Sequence, residues 1–276
     1  MPIVTFWSNN EKAIGQTVSA ALTATVMAIE CNYKILLISA DYNNSKMENC
    51  FGAQETNKAI VKMLVNTPQV NLDSGINGLL KMADSNRITP EIIHDYTKII
   101  LKNRFEILYS PVLADDRQPE IMDKFKNIIA NAARYYDYVI VDLKKGLKNS
   151  NQLEILKMSD VVVANVDQNM STIENFFQMN ETKELYSKMI WNICKYDRKS
   201  KYNIKNLTRT VLKKQAVYGI DYNTLVLDVS QEGNLAEFAF RLKTLKDEDA
   251  NQQLLKQIQE LIEGIMLKNK ETQMRK

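Results

Sequence analysis

A chain of 276 residues, 45% hydrophobic and 25% charged, is long enough for one large α/β domain with a fully buried sheet, and no internal repeat or low-complexity stretch argues for a second domain. The formal charge of +3 is too small to imply global polyanion binding, so partners have to be argued from local patches. Three cysteines, Cys31, Cys50 and Cys194, stand far apart without a Cys-x-x-Cys pair, and His94 is the single histidine, which argues against a disulfide scaffold and a histidine/cysteine zinc site. No signal-peptide pattern and no apolar run of membrane-spanning length is present, so a cytoplasmic protein is expected.

Short apolar runs, often β-branched, recur at residues 3–7, 35–38, 105–109, 138–141, 161–164, 189–193 and 224–227. Strands without polar alternation, separated by amphipathic segments of helical length, predict a doubly wound, mainly parallel sheet of about seven strands with helices on both faces. The helices are expected over residues 16–30, 75–83, 90–102, 120–134, 172–185, 205–214 and 249–268. In such folds ligands sit at the carboxyl ends of the strands.

The first of those ends carries Ser8-Asn9-Asn10-Glu11-Lys12-Ala13-Ile14-Gly15-Gln16-Thr17, shaped like a phosphate-binding loop that has lost its lysine. The spacing G-x-x-x-x-G-K-[ST] serves to bring backbone N–H groups, a lysine and a magnesium-binding hydroxyl to a polyphosphate. Gly15 and Thr17 fit that pattern, while Gln16 takes the lysine position and Asn10 that of the first glycine. Lys12, Ala13, Ile14, Gly15, Gln16, Thr17 and Val18 are the candidate phosphate-binding residues. A helix N-terminus attracts anions even without lysine. After the fourth predicted strand comes Asp142-Leu143-Lys144-Lys145-Gly146; an aspartate there holds magnesium or its water shell, which makes Thr17 and Asp142 the candidate metal ligands.

Together with Ser39-Ala40-Asp41 after the second strand, the basic segment that opens at Cys194 and the late Ser230-Gln231-Glu232-Gly233, this order of motifs resembles the MinD/ParA-like family of deviant Walker ATPases over nearly the whole chain. Within that family it looks most like the TadZ/CpaE-type members associated with assembly of tad (Flp) pili. The family loop K-G-G-x-G-K-T falls on Glu11 to Thr17, so that Glu11 and Gln16 replace both lysines. By the same resemblance Asp41 matches the aspartate implicated in activating water, and Cys194 takes the place of an adenine-contacting asparagine. The resemblance implies ATP and Mg2+ as cofactors, weak or absent hydrolysis, a homodimer, and a role in localising or assembling a pilus or secretion machine. An active ATPase switch and a DNA-partitioning protein are the alternatives.

Two further features bear on partners. Lys195, Arg198, Lys199, Lys201, Lys205, Arg209, Lys213 and Lys214 face the single acid Asp197 in one stretch, a solvated face or a phosphate-binding patch. The last predicted helix aligns Leu254, Leu255, Ile258, Leu261, Ile262 and Ile265, and a basic tail follows over residues 268–276. That stripe either packs on the sheet or lies on the inner face of a membrane.

Overall fold

A computed structural model describes residues 1–42, 44–52, 76–83, 88–111, 118–148, 150–244 and 250–275. Eight strands form one sheet in the order β3-β4-β2-β5-β1-β6-β7-β8. They are β1 (Ile3–Trp7), β2 (Ile35–Ala40), β3 (Lys98–Leu101), β4 (Phe105–Leu108), β5 (Tyr138–Leu143), β6 (Val161–Val166), β7 (Met189–Tyr196) and β8 (Val217–Asp221). Every neighbouring pair is parallel except β3 with β4. The central strands β1, β2, β5 and β6 are buried along their whole length, as their unbroken apolar runs require when helices cover both faces.

The described helices are α1 (Gln16–Glu30), α2 (Lys46–Cys50), α3 (Ile76–Ala83), α4 (Pro90–Asp95), α5 (Gln118–Ala132), α6 (Ser150–Met158), α7 (Met170–Gln178), α8 (Ile204–Thr210), α9 (Thr224–Glu232), α10 (Leu235–Thr244) and α11 (Ala250–Gln273). One hydrophobic core gathers residues of α3, α5, α6 and α7 under one face of the sheet, and a second gathers α1, α9, α10 and α11 under the other.

Several expected elements change. The helix expected over 90–102 stops at Asp95, and the chain returns as β3. Its first turn forms because Thr89 accepts from the Ile92 amide and Pro90 pre-sets the backbone. The following Ile99-Ile100 pair prefers a pleated surface, and Thr97 fixes it there by donating to the buried Glu106 carboxylate on β4, which also accepts from Tyr136 and contacts His94. The strand expected at 224–227 is the start of α9, capped by Asn223, whose side chain accepts from the Val226 amide. Buried Val226, Val229 and Ser230 show the helical spacing of that segment, and the last strand lies earlier, at Val217–Asp221. Residues 172–185 divide into α7 and a 3-10 helix, Asn180–Lys188, and the helix expected over 205–214 ends at Thr210.

The final helix settles its own question of burial. Leu254, Leu255, Ile258, Leu261, Ile262 and Ile265 are all buried in the core beside α1 and β8, so the apolar stripe is not free to lie on a membrane in this fold. Among the described residues no helix is long and apolar enough to cross one. Ile258 is 0% exposed, and Ile258→Ala is expected to cost about 2–5 kcal/mol, read as a lower urea midpoint at unchanged slope.

Candidate functional site

Gly15 ends the β1–α1 loop with φ 99°, a left-handed conformation that suits glycine and turns the chain abruptly into α1. No side chain caps that helix, and its first turn leaves the amides of Gln16, Thr17 and Val18 without intrahelical acceptors. The first helical bond runs from the Ser19 amide to the Gly15 carbonyl, 2.9 Å. The loop is shaped from inside: the Asn10 amide donates to Ser8 Oγ at 3.1 Å, the Lys12 amide to Asn10 Oδ1 at 3.0 Å and the Ile14 amide to the Lys12 carbonyl at 3.0 Å.

The first turn of α1 borders a cavity of about 280 Å³. Residues 13–19 line it together with Lys46, Lys145 and Lys195, while Cys194, Ile220, Tyr222, Val226, Leu227 and Leu254 supply apolar surface from β7, β8, the turn after it, α9 and α11, with Asp221, Asn223, Ser230 and Gln231 among them. A concave site with convergent polar groups on one side and an apolar wall on the other is the usual form of a small-molecule pocket.

Beneath the loop the register β1–β5 and β2–β5 sets Phe6 and Ser39 beside Asp142. The Gln16 side chain turns down into this junction. Its Nε2 is surrounded by three oxygens, Asp142 Oδ1 at 2.7 Å, the Leu143 carbonyl at 2.7 Å and the Phe6 carbonyl at 3.2 Å, while Oε1 is buried without a partner. Burial pushes the Asp142 carboxyl up to about 6, and nearby Asp41 pushes the same way, against the Thr17 hydroxyl, the Gln16 amide and Lys145, which favour the ionised form. A carboxyl raised from 3.8 to about 6 on folding carries no penalty well below pH 3.8, where both states are protonated, and its penalty grows until the pH passes 6. Asp142→Asn keeps an acceptor for Gln16, so it is expected to raise stability by about 1–3 kcal/mol at pH 8 and by much less at pH 4, measured by thermal melts across that range.

Asp41 follows β2 at the same edge. Its carboxylate accepts from the Tyr42 amide at 2.8 Å and Asn44 Nδ2 at 2.9 Å and lies 3.6 Å from Lys144 Nζ, which also sits over the Tyr42 ring. Gly15, Asp41 and Asp142 thus converge at one set of strand ends. Ala13, Ile14, Gly15, Gln16, Thr17 and Val18 line the cavity, whereas Lys12 is exposed outside it and contributes its carbonyl to the loop. Glu11 pairs with Lys148 of its own chain at 3.0 Å. Cys194 lines the cavity, over a buried polar chain in which Asn192 Nδ2 donates to Ser19 Oγ at 2.8 Å and Asn165 Oδ1 at 2.9 Å.

Sequence reasoning missed Lys46 and Lys145 as cavity residues and placed Lys195 only in the basic stretch. The signal for Lys145 was its position three residues after Asp142 at the end of a central strand. Tyr222, Val226 and Leu227 were hidden by the assignment of 224–227 to a strand.

No protein-family model and no curated protein sequence matches this chain. Solved structures do. A ParA family ATPase from Chlorobium tepidum TLS superposes with a TM-score of 0.69 at 13% identity, covering 95% of this chain and 98% of its own. A candidate plasmid partition protein from Borrelia burgdorferi B31 bound to AMPPNP gives 0.63 at 20% identity over 97% and 98%. The septum site-determining protein MinD from Pyrococcus horikoshii OT3, complexed with Mg-ADP, gives 0.65 at 13% identity over 96% and 95%. This chain shares its fold with these three structures. At these identities the likeness establishes architecture, and function rests on the site.

Proposed function

We propose that the chain is a MinD/ParA-like nucleotide-binding protein with weak or absent hydrolysis, acting as a dimerising localisation or assembly factor. One observation carries the binding: the uncapped N-terminus of α1 borders a cavity whose other wall is apolar, a place for phosphates beside a place for a base. The residues fit ATP and Mg2+. Thr17 and Asp142 bring the hard oxygen donors that would hold magnesium, and among the described residues no cluster of three His, Cys, Asp or Glu could hold it alone, so phosphate and water complete such a site. Bound there, the ion neutralises phosphate charge. The nucleotide complexes of the Borrelia and Pyrococcus neighbours support the same ligand class.

Weak hydrolysis follows from the loop. The Gln16 side chain is turned toward Asp142 rather than the cavity mouth, and Glu11 is held by Lys148, so neither supplies the positioned cation of an efficient phosphoryl-transfer site, a contribution of roughly 10³–10⁵ in rate when made in trans. Asp41 remains the candidate for orienting water. ATP binding is expected in magnesium buffer with turnover at background, and Asp142→Asn is expected to weaken the magnesium dependence of binding. Turnover at rates typical of such ATPases, lost on Asp41→Ala, overturns the weakened-enzyme reading. The tad pilus assignment and a cytoplasmic location rest on the sequence motifs; co-purification with pilus assembly proteins tests the first, and sedimentation at micromolar concentration with and without ATP tests the dimer.

A DNA-partitioning role is the second reading, favoured by the exposed basic run on and around α8 and by the plasmid partition neighbour. It expects DNA binding that falls steeply with salt and is lost on replacing Lys199, Lys205 and Arg209 together. Salt-independent or undetectable binding removes it.

A further inference from the structure

The cavity holds more positive charge than its surroundings balance. Lys145 is half-buried, and its Nζ donates to the Lys12 carbonyl at 2.9 Å. Lys195 sits in a left-handed turn, φ 55°, and its Nζ donates to the Ala13 carbonyl at 3.3 Å. Two lysines, one in the loop just after β5 and one in β7, thereby bring their ammonium groups to successive carbonyls of the same loop. Each ammonium has three donors, and these bonds use one of them. Lys46, at the start of α2, lines the same cavity.

Carboxylates near this cluster are engaged elsewhere. Asp41 is beside Lys144, Asp142 is bonded to Gln16, and Asp221 lies 3.4 Å from Arg198 Nε and accepts from Gln257. Among the described residues no ion pair holds Lys46, Lys145 or Lys195. Burial lowers the Lys145 ammonium from its ordinary range, and Lys46 repels it further, while Asp142 and Asp41 pull the other way. Lys46 and Lys195 are exposed and solvated, so half-buried Lys145 gains most when an anion enters among the three amines.

We propose that Lys145, assisted by Lys46 and Lys195, supplies in cis the positive charge for the ligand's phosphates that position 16 does not supply, so that one copy of the chain holds a nucleoside polyphosphate without a lysine from a partner. This rests on the nucleotide-binding reading above and adds which residues carry it. The charge reaches the loop from the end of β5 rather than from the first turn of α1. The apolar wall beside the amines favours a nucleotide over inorganic polyphosphate.

The test measures equilibrium binding of ATP, adenosine and tripolyphosphate to the full chain by calorimetry, with circular dichroism and thermal melts confirming each variant's fold. Removing a charge-assisted hydrogen bond from a partly buried site weakens binding about 10–100-fold. Lys145→Ala is expected to weaken ATP by that factor and leave adenosine within twofold, Lys145→Arg to stay near the natural chain, and Lys243→Ala, far along α10, to change nothing. Diluting the protein across the range where sedimentation shows monomer should leave the ATP affinity unchanged. If ATP binds the natural chain but Lys145→Ala and Lys145→Ala combined with Lys46→Ala bind it equally well, the lysine assignment falls and the nucleotide reading stands. Affinity that appears only with dimer overturns the cis arrangement. Binding of tripolyphosphate as tight as ATP overturns the nucleotide as ligand, and absence of binding by all three compounds removes both readings.

Discussion

The junction made by Gln16 organises the site. Its amide nitrogen joins the first turn of α1 to the ends of β1 and β5 through Phe6, Asp142 and Leu143. Three oxygens converging on one buried nitrogen would leave repelling lone pairs if the donor were removed, so the polar network is costly to break in part. A lysine at this position would carry charge into the phosphate space. Glutamine instead closes the floor, and the loop keeps its shape while the charge has to come from other elements.

That shift explains why the fold was more legible in the sequence than the site. The central strands announced themselves because burial on both faces demands unbroken apolar runs, and α1 could be bounded to the residue by Gly15 and the alanine-rich run behind it. The motifs at strand ends followed from the topology. Edge elements were harder. At β3 the β-branched residues follow a capped helical turn, and the segment's strand state depends on Glu106, which lies on another strand. At 224–227 a short apolar run looked the same as a helix start, and only the Asn223 cap and the burial of every third or fourth residue distinguish them.

Site residues split along the same line. Positions whose role is local, such as Gly15 and Thr17, were readable from spacing. Lys46, Lys145 and Lys195 are separated by 99 and 50 positions, as their numbers show, and meet only because β5 and β7 end beside the β1–α1 loop. No spacing rule connects them. Glu11 illustrates the converse: its charge was visible, but its partner Lys148 lies beyond β5, so the acid is neutralised by its own chain instead of confronting a neighbour.

The burial of α11 has a consequence for the order in which the molecule becomes competent. Leu254 forms part of the cavity wall, and the helix that carries it packs on α1, whose first turn borders the same cavity. During synthesis the loop at residues 8–17 is made first, the wall residues Cys194, Ile220, Val226 and Leu227 follow much later, and Leu254 comes last of all. A nascent chain therefore presents the loop amides to water before the apolar side is in place, and that side is completed only when α11 docks on α1.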